Sequence, residues 1–265
     1  MKDRRDGFIL ALQFFSVIPI SKEIPLDRFR LKYGILSLPI LGAIIGVIGS
    51  VLLWGLHQWT PFSDLALTLF FLFYFIFITG GIHIDGWVDT SDAFFSYRDP
   101  KRRLEIMKDP RVGTFGVLSL LFLLLFRFLF AYEIIQSISF EDLILFATIP
   151  ILSRISMGVL FIAGPGLAKR EGLAYLFVEA LRKRDLLTFL LYLVLLLVVY
   201  GVFFPHLLLT LLILMFSTCM VFFGFKLGFK RAFGGITGDT LGTSIEGTET
   251  ILWMIVWLLH LYATV

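Results

Sequence analysis

Asp85, Asp89 and Asp92 fall at i, i+4 and i+7 within the stretch Gly80-Gly81-Ile82-His83-Ile84-Asp85-Gly86-Trp87-Val88-Asp89-Thr90-Ser91-Asp92. On a helix that spacing puts all three carboxylates on one face. Like charges so placed repel each other unless a cation sits among them. An oxygen-only, carboxylate-rich set suits Mg²⁺, which commonly takes one or two carboxylates and completes its shell with substrate phosphates. Gly80, Gly81 and Gly86 would loosen the helix end and let backbone approach a ligand. Acids that merely complement a helix dipole would not need to share one face at the mouth of an apolar segment, so metal binding is the favoured reading. His83 precedes Asp85 by two residues and lies off its face. It is a candidate catalytic proton acceptor, a partner of a metal ligand, or an interfacial residue, and spacing does not rank these.

A second polar stretch runs from Arg98 to Gly113. Asp99 as a cap and Pro100 at the first helical position start a short helix, and Pro110 and Gly113 stop it. Cations beside a carboxylate cluster are what a phosphate–metal site requires, because the metal neutralises part of the phosphate charge and Lys or Arg the rest. Lys108, Arg111 and Arg98 are the candidates here, whereas Arg102 and Arg103 read as ordinary charge beside a membrane. A third block, Phe233 to Glu249, holds Asp239 and Glu246 seven apart, with Gly235 and Thr237 in a glycine-rich run suited to close contact with an anion. It lacks the Gly-Lys-Ser/Thr ending of a nucleotide-binding P-loop. Asp239 and Glu246 are expected to add to the metal site of Asp85, Asp89 and Asp92.

The elements that must position these residues are membrane helices. Of 265 residues, 58% are hydrophobic, 30 are Phe and 16% are charged, against about a quarter charged in a soluble domain. Cys219 is the single cysteine, which excludes an intrachain disulfide and a cysteine-based metal cluster. Seven segments read as crossings, which need ~20 apolar residues: Tyr33–Leu56, Leu65–Ile84, Val112–Tyr132, Leu143–Ala163, Leu186–Phe204, His206–Phe225, and a shorter one from Thr250 to the C-terminus. The fifth and sixth meet at Pro205 as a tight hairpin. Phe8–Ile20 reads as a re-entrant or interfacial helix rather than a cleaved signal. Lys and Arg crowd the segments before the first span and after the second, fourth and sixth, and are missing from the alternate connections, so the N-terminus is expected in the cytoplasm. The expected fold is all-α, a single polytopic membrane domain over 1–265. Two arginines lie inside apolar runs, where an unpaired charge is costly. Arg127 is expected to pair with Glu133 or snorkel, and Arg154 to form an internal salt bridge or bind an anion.

With these motifs in order, the chain resembles the cobalamin synthase family, the adenosylcobinamide-GDP ribazoletransferases. The resemblance rests on Gly80 to Gly86 through Asp89 and Asp92, on Ile106-Met107-Lys108-Asp109, and on Gly234-Gly235-Ile236-Thr237-Gly238-Asp239-Thr240-Leu241-Gly242. The opening Phe14-Phe15-Ser16-Val17-Ile18-Pro19 is also similar, and the likeness covers nearly the whole chain. Where many relatives carry a glycine-rich tract, this chain has Ala93-Phe94-Phe95-Ser96-Tyr97, which bears on the local loop shape. The resemblance implies an enzyme of the inner cell membrane, with its site facing the cytoplasm. It would join adenosylcobinamide-GDP to α-ribazole, or to α-ribazole 5′-phosphate, and release GMP. Mg²⁺ would be the cofactor and membrane lipid the surroundings, with no nucleic-acid partner and the oligomeric state left open. A membrane CDP-alcohol phosphotransferase lacks support, since the Ala-Arg pair after its Asp-Gly motif is missing here. The Asn-Asp-x-x-Asp of a prenyltransferase is missing too. A transporter would place its acids near the bilayer midplane, whereas most acids here sit in loops.

Overall fold

The computed structural model describes residues 2–263, and these form twelve α-helices with no β-strand beyond one isolated bridge. In chain order they are α1 Lys2–Phe15, α2 Arg28–Leu36, α3 Leu38–Trp59, α4 Asp64–Ile78, α5 Ile82–Phe95, α6 Pro100–Ile106, α7 Thr114–Ile135, α8 Phe140–Ala163, α9 Gly172–Ala180, α10 Leu186–Phe203, α11 Leu208–Phe233 and α12 Gly238–Ala263. The all-α polytopic architecture is as expected. Among the described residues, five segments are long and apolar enough to cross a membrane: Leu38–Trp59, Thr114–Ile135, Phe140–Ala163, Lys183–Phe203 and Pro205–Phe233. A sixth is reached if α4 and α5, bent by 87° at their junction, count together.

This count differs from seven uniform spans, for local reasons. The first expected span breaks at Ser37, whose backbone N–H already closes α2 on Tyr33 while Pro39 opens α3. The second stops at Ile78, where Gly80 and Gly81 take left-handed φ values of 64° and 71° and turn the chain sharply into α5. Glycine alone adopts that conformation at no steric cost. The seventh extends backwards: α12 starts at Gly238, and its polar first half, Thr240 to Glu249, is buried in protein. The N-terminal helix expected over Phe8–Ile20 lies instead over Lys2–Phe15 as α1, and residues 16–27 after it are non-helical. It packs on α2 through Gly7 and Leu10, and Asp6 is bonded by Lys22 at 2.5 Å and by Arg30 at 3.4 Å.

The most buried crossing helix is α8, which packs against α3, α12, α11, α10 and α9. Close approach to α3 depends on small residues. A Cβ on Gly42 would sit 2.4 Å from the Pro150 carbonyl oxygen, and one on Gly46 would sit 2.4 Å from that of Ala147. In lipid, where apolar burial does not drive helices together, such small-residue seams supply the packing. By contrast α10 and α11 are mostly exposed, with Leu191, Val202, Leu209 and Phe216 turned outward, as lipid-facing helices must be. The apolar interior divides into one cluster around Ile35, Leu160 and Phe233 and another around Phe146, Leu211 and Trp253.

Two buried arginine–glutamate pairs lie inside the bundle. Arg127 Nη1 lies 2.8 Å from Glu246 Oε2, its Nε donates to Thr250 Oγ1 at 2.8 Å and its Nη2 donates to the Glu246 carbonyl oxygen at 2.6 Å. Arg154 donates to Glu249, which also accepts from Ser153 Oγ at 2.9 Å. All four charged residues are at most 5% exposed. Arg127 therefore pairs with Glu246 rather than Glu133. A charge that cannot reach water needs an opposite one, and α12 offers two acids one turn apart to arginines from α7 and α8.

Candidate active site

The face-sharing acids lie on α5 as expected, and the residue that lets them meet the third motif is Gly86. A Cβ there would come 2.7 Å from the Asp239 carbonyl oxygen, and one on Gly242 would come 3.2 Å from His83 Cα. Two glycines thus allow α5 and the start of α12 to touch backbone to backbone. Thr243 Oγ1 bridges the contact, lying 2.9 Å from the Gly86 carbonyl oxygen and 2.8 Å from that of Asp239. Thr237 caps α12 reciprocally: its Oγ1 accepts from Thr240 N–H at 3.2 Å, and its own N–H donates to Thr240 Oγ1 at 2.7 Å. The Gly234–Thr237 turn is pinned to the loop after α8, since Ala168 N–H donates to the Ile236 carbonyl at 3.0 Å and Ile236 N–H to that of Gly166 at 2.8 Å. A Cβ on Gly235 would lie 2.5 Å from Ala168 N. Gly235 is thus required by this backbone crossing.

Two adjoining cavities meet at Asp239. One, about 170 Å³, is lined by Phe15, His83, Asp85 and Asp239. The other, about 470 Å³, is lined by Lys108, Lys169, Glu171, Thr237, Gly238 and Asp239. The second therefore has two ammonium groups and the N-terminal end of α12, whose free backbone N–H groups favour anions. Lys108 Nζ pairs with Glu171 at 2.6 Å in the open. Lys169 stands against Lys108, and its partial burial and that neighbour lower its pKa from the usual lysine value. Lys169 and Glu171 are site residues that motif reasoning missed. The available signal was the Gly164-Pro165-Gly166 break after a span, followed by Lys169-Arg170-Glu171.

Asp85 is exposed and Asp89 and Asp239 are half-buried. Burial raises the Asp89 carboxyl to about 6, reinforced by the charges of Asp85, Asp239 and Asp92. Burial raises Asp239 as well, reinforced by Asp85. These acids feel one another, yet among the described residues no three Asp, Glu, His or Cys groups stand close enough to hold a metal ion by themselves. The donor set fits a cation that takes one or two carboxylates and finishes its shell with phosphate and water, and not a closed protein cage. His83 is buried, stacked 6.2 Å from Phe15, and its Nε2 has no partner.

Other expected site residues are placed elsewhere. Asp92 turns to α7, where it accepts from Gly116 N–H at 3.3 Å; Gly113, the N-cap of that helix, has no side chain to do so. Glu246 is committed to Arg127 and not to the acidic cluster. Arg154 is engaged by Glu249 inside the bundle, the internal salt bridge that was one of its two expected roles. Arg98 is exposed, and Arg111 bonds its neighbour Asp109 at 2.7 Å on the surface. Neither lines the two cavities.

Residues 7–257 match the family model described as cobalamin-5-phosphate synthase. The chain is 43% identical over 265 residues to a protein of Geobacillus sp. (strain WCH70) named adenosylcobinamide-GDP ribazoletransferase, covering 100% of both. A protein of the same name from Geobacillus thermodenitrificans (strain NG80-2) is 43% identical, with 98% of each chain covered. A third, from Clostridioides difficile (strain 630), is 35% identical over 95% of this chain and 97% of its own. No solved structure matches the chain. With its whole length matched and its three polar motifs assembled at one place, the chain belongs to the cobalamin-5-phosphate synthase family.

Proposed function

We propose that this chain is an adenosylcobinamide-GDP ribazoletransferase, joining adenosylcobinamide-GDP to α-ribazole or its 5′-phosphate and releasing GMP, at the cytoplasmic face of the inner membrane. The observation that carries the reading is the meeting of Asp85, Asp89, His83, Lys108 and Lys169 around Asp239 at the start of α12. Carboxylates and ammonium groups on adjoining walls are what a metal-assisted attack on a pyrophosphate needs.

In this reading the pyrophosphate lies along the wider cavity, with Lys108, Lys169 and the α12 N-terminal N–H groups on its oxygens. Asp85 and Asp89, with Asp239, would hold Mg²⁺, which when bound supplies positive charge for the phosphates and the departing GMP. The ribazole 5′-hydroxyl enters the narrower cavity, where unpartnered His83 Nε2 takes its proton. The hydroxyl oxygen bonds the cobinamide-side phosphorus, and the bond from that phosphorus to the bridging oxygen breaks, leaving GMP. Phe15, stacked on His83, would shield the base from bulk water.

The test is turnover by the purified chain with adenosylcobinamide-GDP and α-ribazole, with and without Mg²⁺. Metal-dependent appearance of GMP and a cobalamin in equal amounts is expected. Folded protein that releases no GMP, or an Asp85→Ala variant with wild-type turnover, would overturn the reading.

A further inference from the structure

Away from the carboxylates, α5, α7, α11 and α12 enclose a crevice of about 730 Å³ that the proposed chemistry does not use. Its walls are aromatic and aliphatic, with Phe94, Phe122, Phe126, Phe225 and Phe229 among them. Along α5, Trp87, Thr90, Ser91 and Phe94 line the crevice. Those positions lie on the side opposite Asp85 and Asp89 at 3.6 residues per turn, so α5 separates crevice from reaction site. Two of the walls, α7 and α11, are apolar crossing helices, and Phe122 and Phe126 are 58% and 50% exposed. The crevice therefore opens sideways into hydrocarbon.

Its polar features are few and grouped. Thr90 is 5% exposed and its Oγ1 has no partner, and Trp87 Nε1 is likewise unbonded. One turn beyond Thr90, Phe94 carries the Arg103 guanidinium 5.2 Å from its ring centre. Arg103 Nη1 donates to the Ala232 carbonyl oxygen at 3.3 Å, which holds it beside a crevice residue, while its Nε is buried without a partner. Buried donors of this kind are costly unless a ligand meets them. The order from one end is a cation, then a hydroxyl about one turn away and an indole N–H about one turn further, with an apolar trough open to the bilayer. A polar macrocycle with many amides would find almost no partners along these walls.

We infer that this crevice is a binding site for one anionic phospholipid, with its phosphate on Arg103, its ester groups at Thr90 and Trp87, and an acyl chain along Phe122, Phe126 and Phe229. The inference is independent of the substrates proposed above, because the site lies on the far side of α5 and its test reads lipid.

Gly228 provides the probe, since it lines the crevice and a Cβ added there meets open space. Gly228→Leu should fill the trough without disturbing the helix. In native mass spectrometry of the delipidated full chain, phosphatidylglycerol should bind roughly 10-fold tighter than phosphatidylcholine, which corresponds to about 1.4 kcal/mol. Gly228→Leu should weaken phosphatidylglycerol binding by at least about 10-fold, and Arg103→Gln should bring the two lipids to equal affinity. Independently of any variant, a phosphatidylglycerol carrying a diazirine in its acyl chain should label α7 and α11 of the wild-type protein. Equal binding of both lipids by the wild type, undiminished binding by Gly228→Leu, or label spread over α10 would overturn the assignment. So would displacement of the bound lipid by α-ribazole or adenosylcobinamide-GDP, which would give the crevice to substrate.

Discussion

At the scale of single residues, the acidic cluster stores repulsion that a cation would relieve. Asp89, raised to about 6 by burial and by Asp85, Asp239 and Asp92, holds its proton more tightly in the folded protein than at its ordinary value of 3.8. Protonation there stabilises the fold, and this contribution is lost as pH rises through about 6. Cation binding needs the carboxylate, so it strengthens over the same interval. The shift in melting temperature caused by Mg²⁺ should be larger at about pH 7.5 than at about pH 5.5, as thermal unfolding in detergent would show. Asp89→Asn should melt higher than the wild type without Mg²⁺ and lose the Mg²⁺ response together with turnover. Lys169→Ala should lower kcat/KM by roughly 10- to 100-fold, the range of one hydrogen bond to a charged group. Lys108→Ala should cost less, since Lys108 is exposed and shares its charge with Glu171.

Between elements, the site depends on how closely α5 and α12 approach, and that approach depends on missing side chains. Gly86→Ala places a methyl 2.7 Å from the Asp239 carbonyl oxygen, whereas Gly242→Ala meets His83 Cα at 3.2 Å. The first substitution should destabilise by about 1–3 kcal/mol through overpacking and move Asp85 away from Asp239, with a lower melting temperature and a large loss of turnover. The second should be milder on both counts. Parallel melting curves and GMP-release assays on the two variants check the order. The start of the short helix α6 was legible, because Asp99 accepts from Lys101 and Arg102 N–H and Pro100 opens it, a local chemistry that involves no distant residue; its end was not, since the helix stops at Ile106, before the expected breakers Pro110 and Gly113. The contact of α5 with α12 was not, because no local pattern reveals which glycines face one another.

For the molecule as a whole, four buried charges tie α7, α8 and α12 together through Arg127–Glu246 and Arg154–Glu249. Removing one partner leaves a buried charge alone, which costs about 3–5 kcal/mol, whereas replacing both by apolar residues is often neutral. Arg154→Leu should therefore sharply reduce folded yield, and Arg154→Leu with Glu249→Leu should restore it. Size-exclusion profiles and melting temperature measure both, and restored turnover in the double variant would separate Arg154 from phosphate binding. Composition and apolar run length by themselves determined an all-α membrane protein, since long unbroken apolar runs suit helices in lipid whereas barrel strands alternate apolar and polar residues. The i, i+4, i+7 spacing placed Asp85, Asp89 and Asp92 on one helix face, and the motif order pointed to the family. Tertiary structure alone decided how the polar residues are shared out: Asp92 to the start of α7, Glu246 to Arg127, Arg154 to Glu249, and Lys169 to the cavity at Asp239. The physical reason is that a charge's partner is set by distance in space, and helices far apart in sequence become neighbours only when the bundle packs.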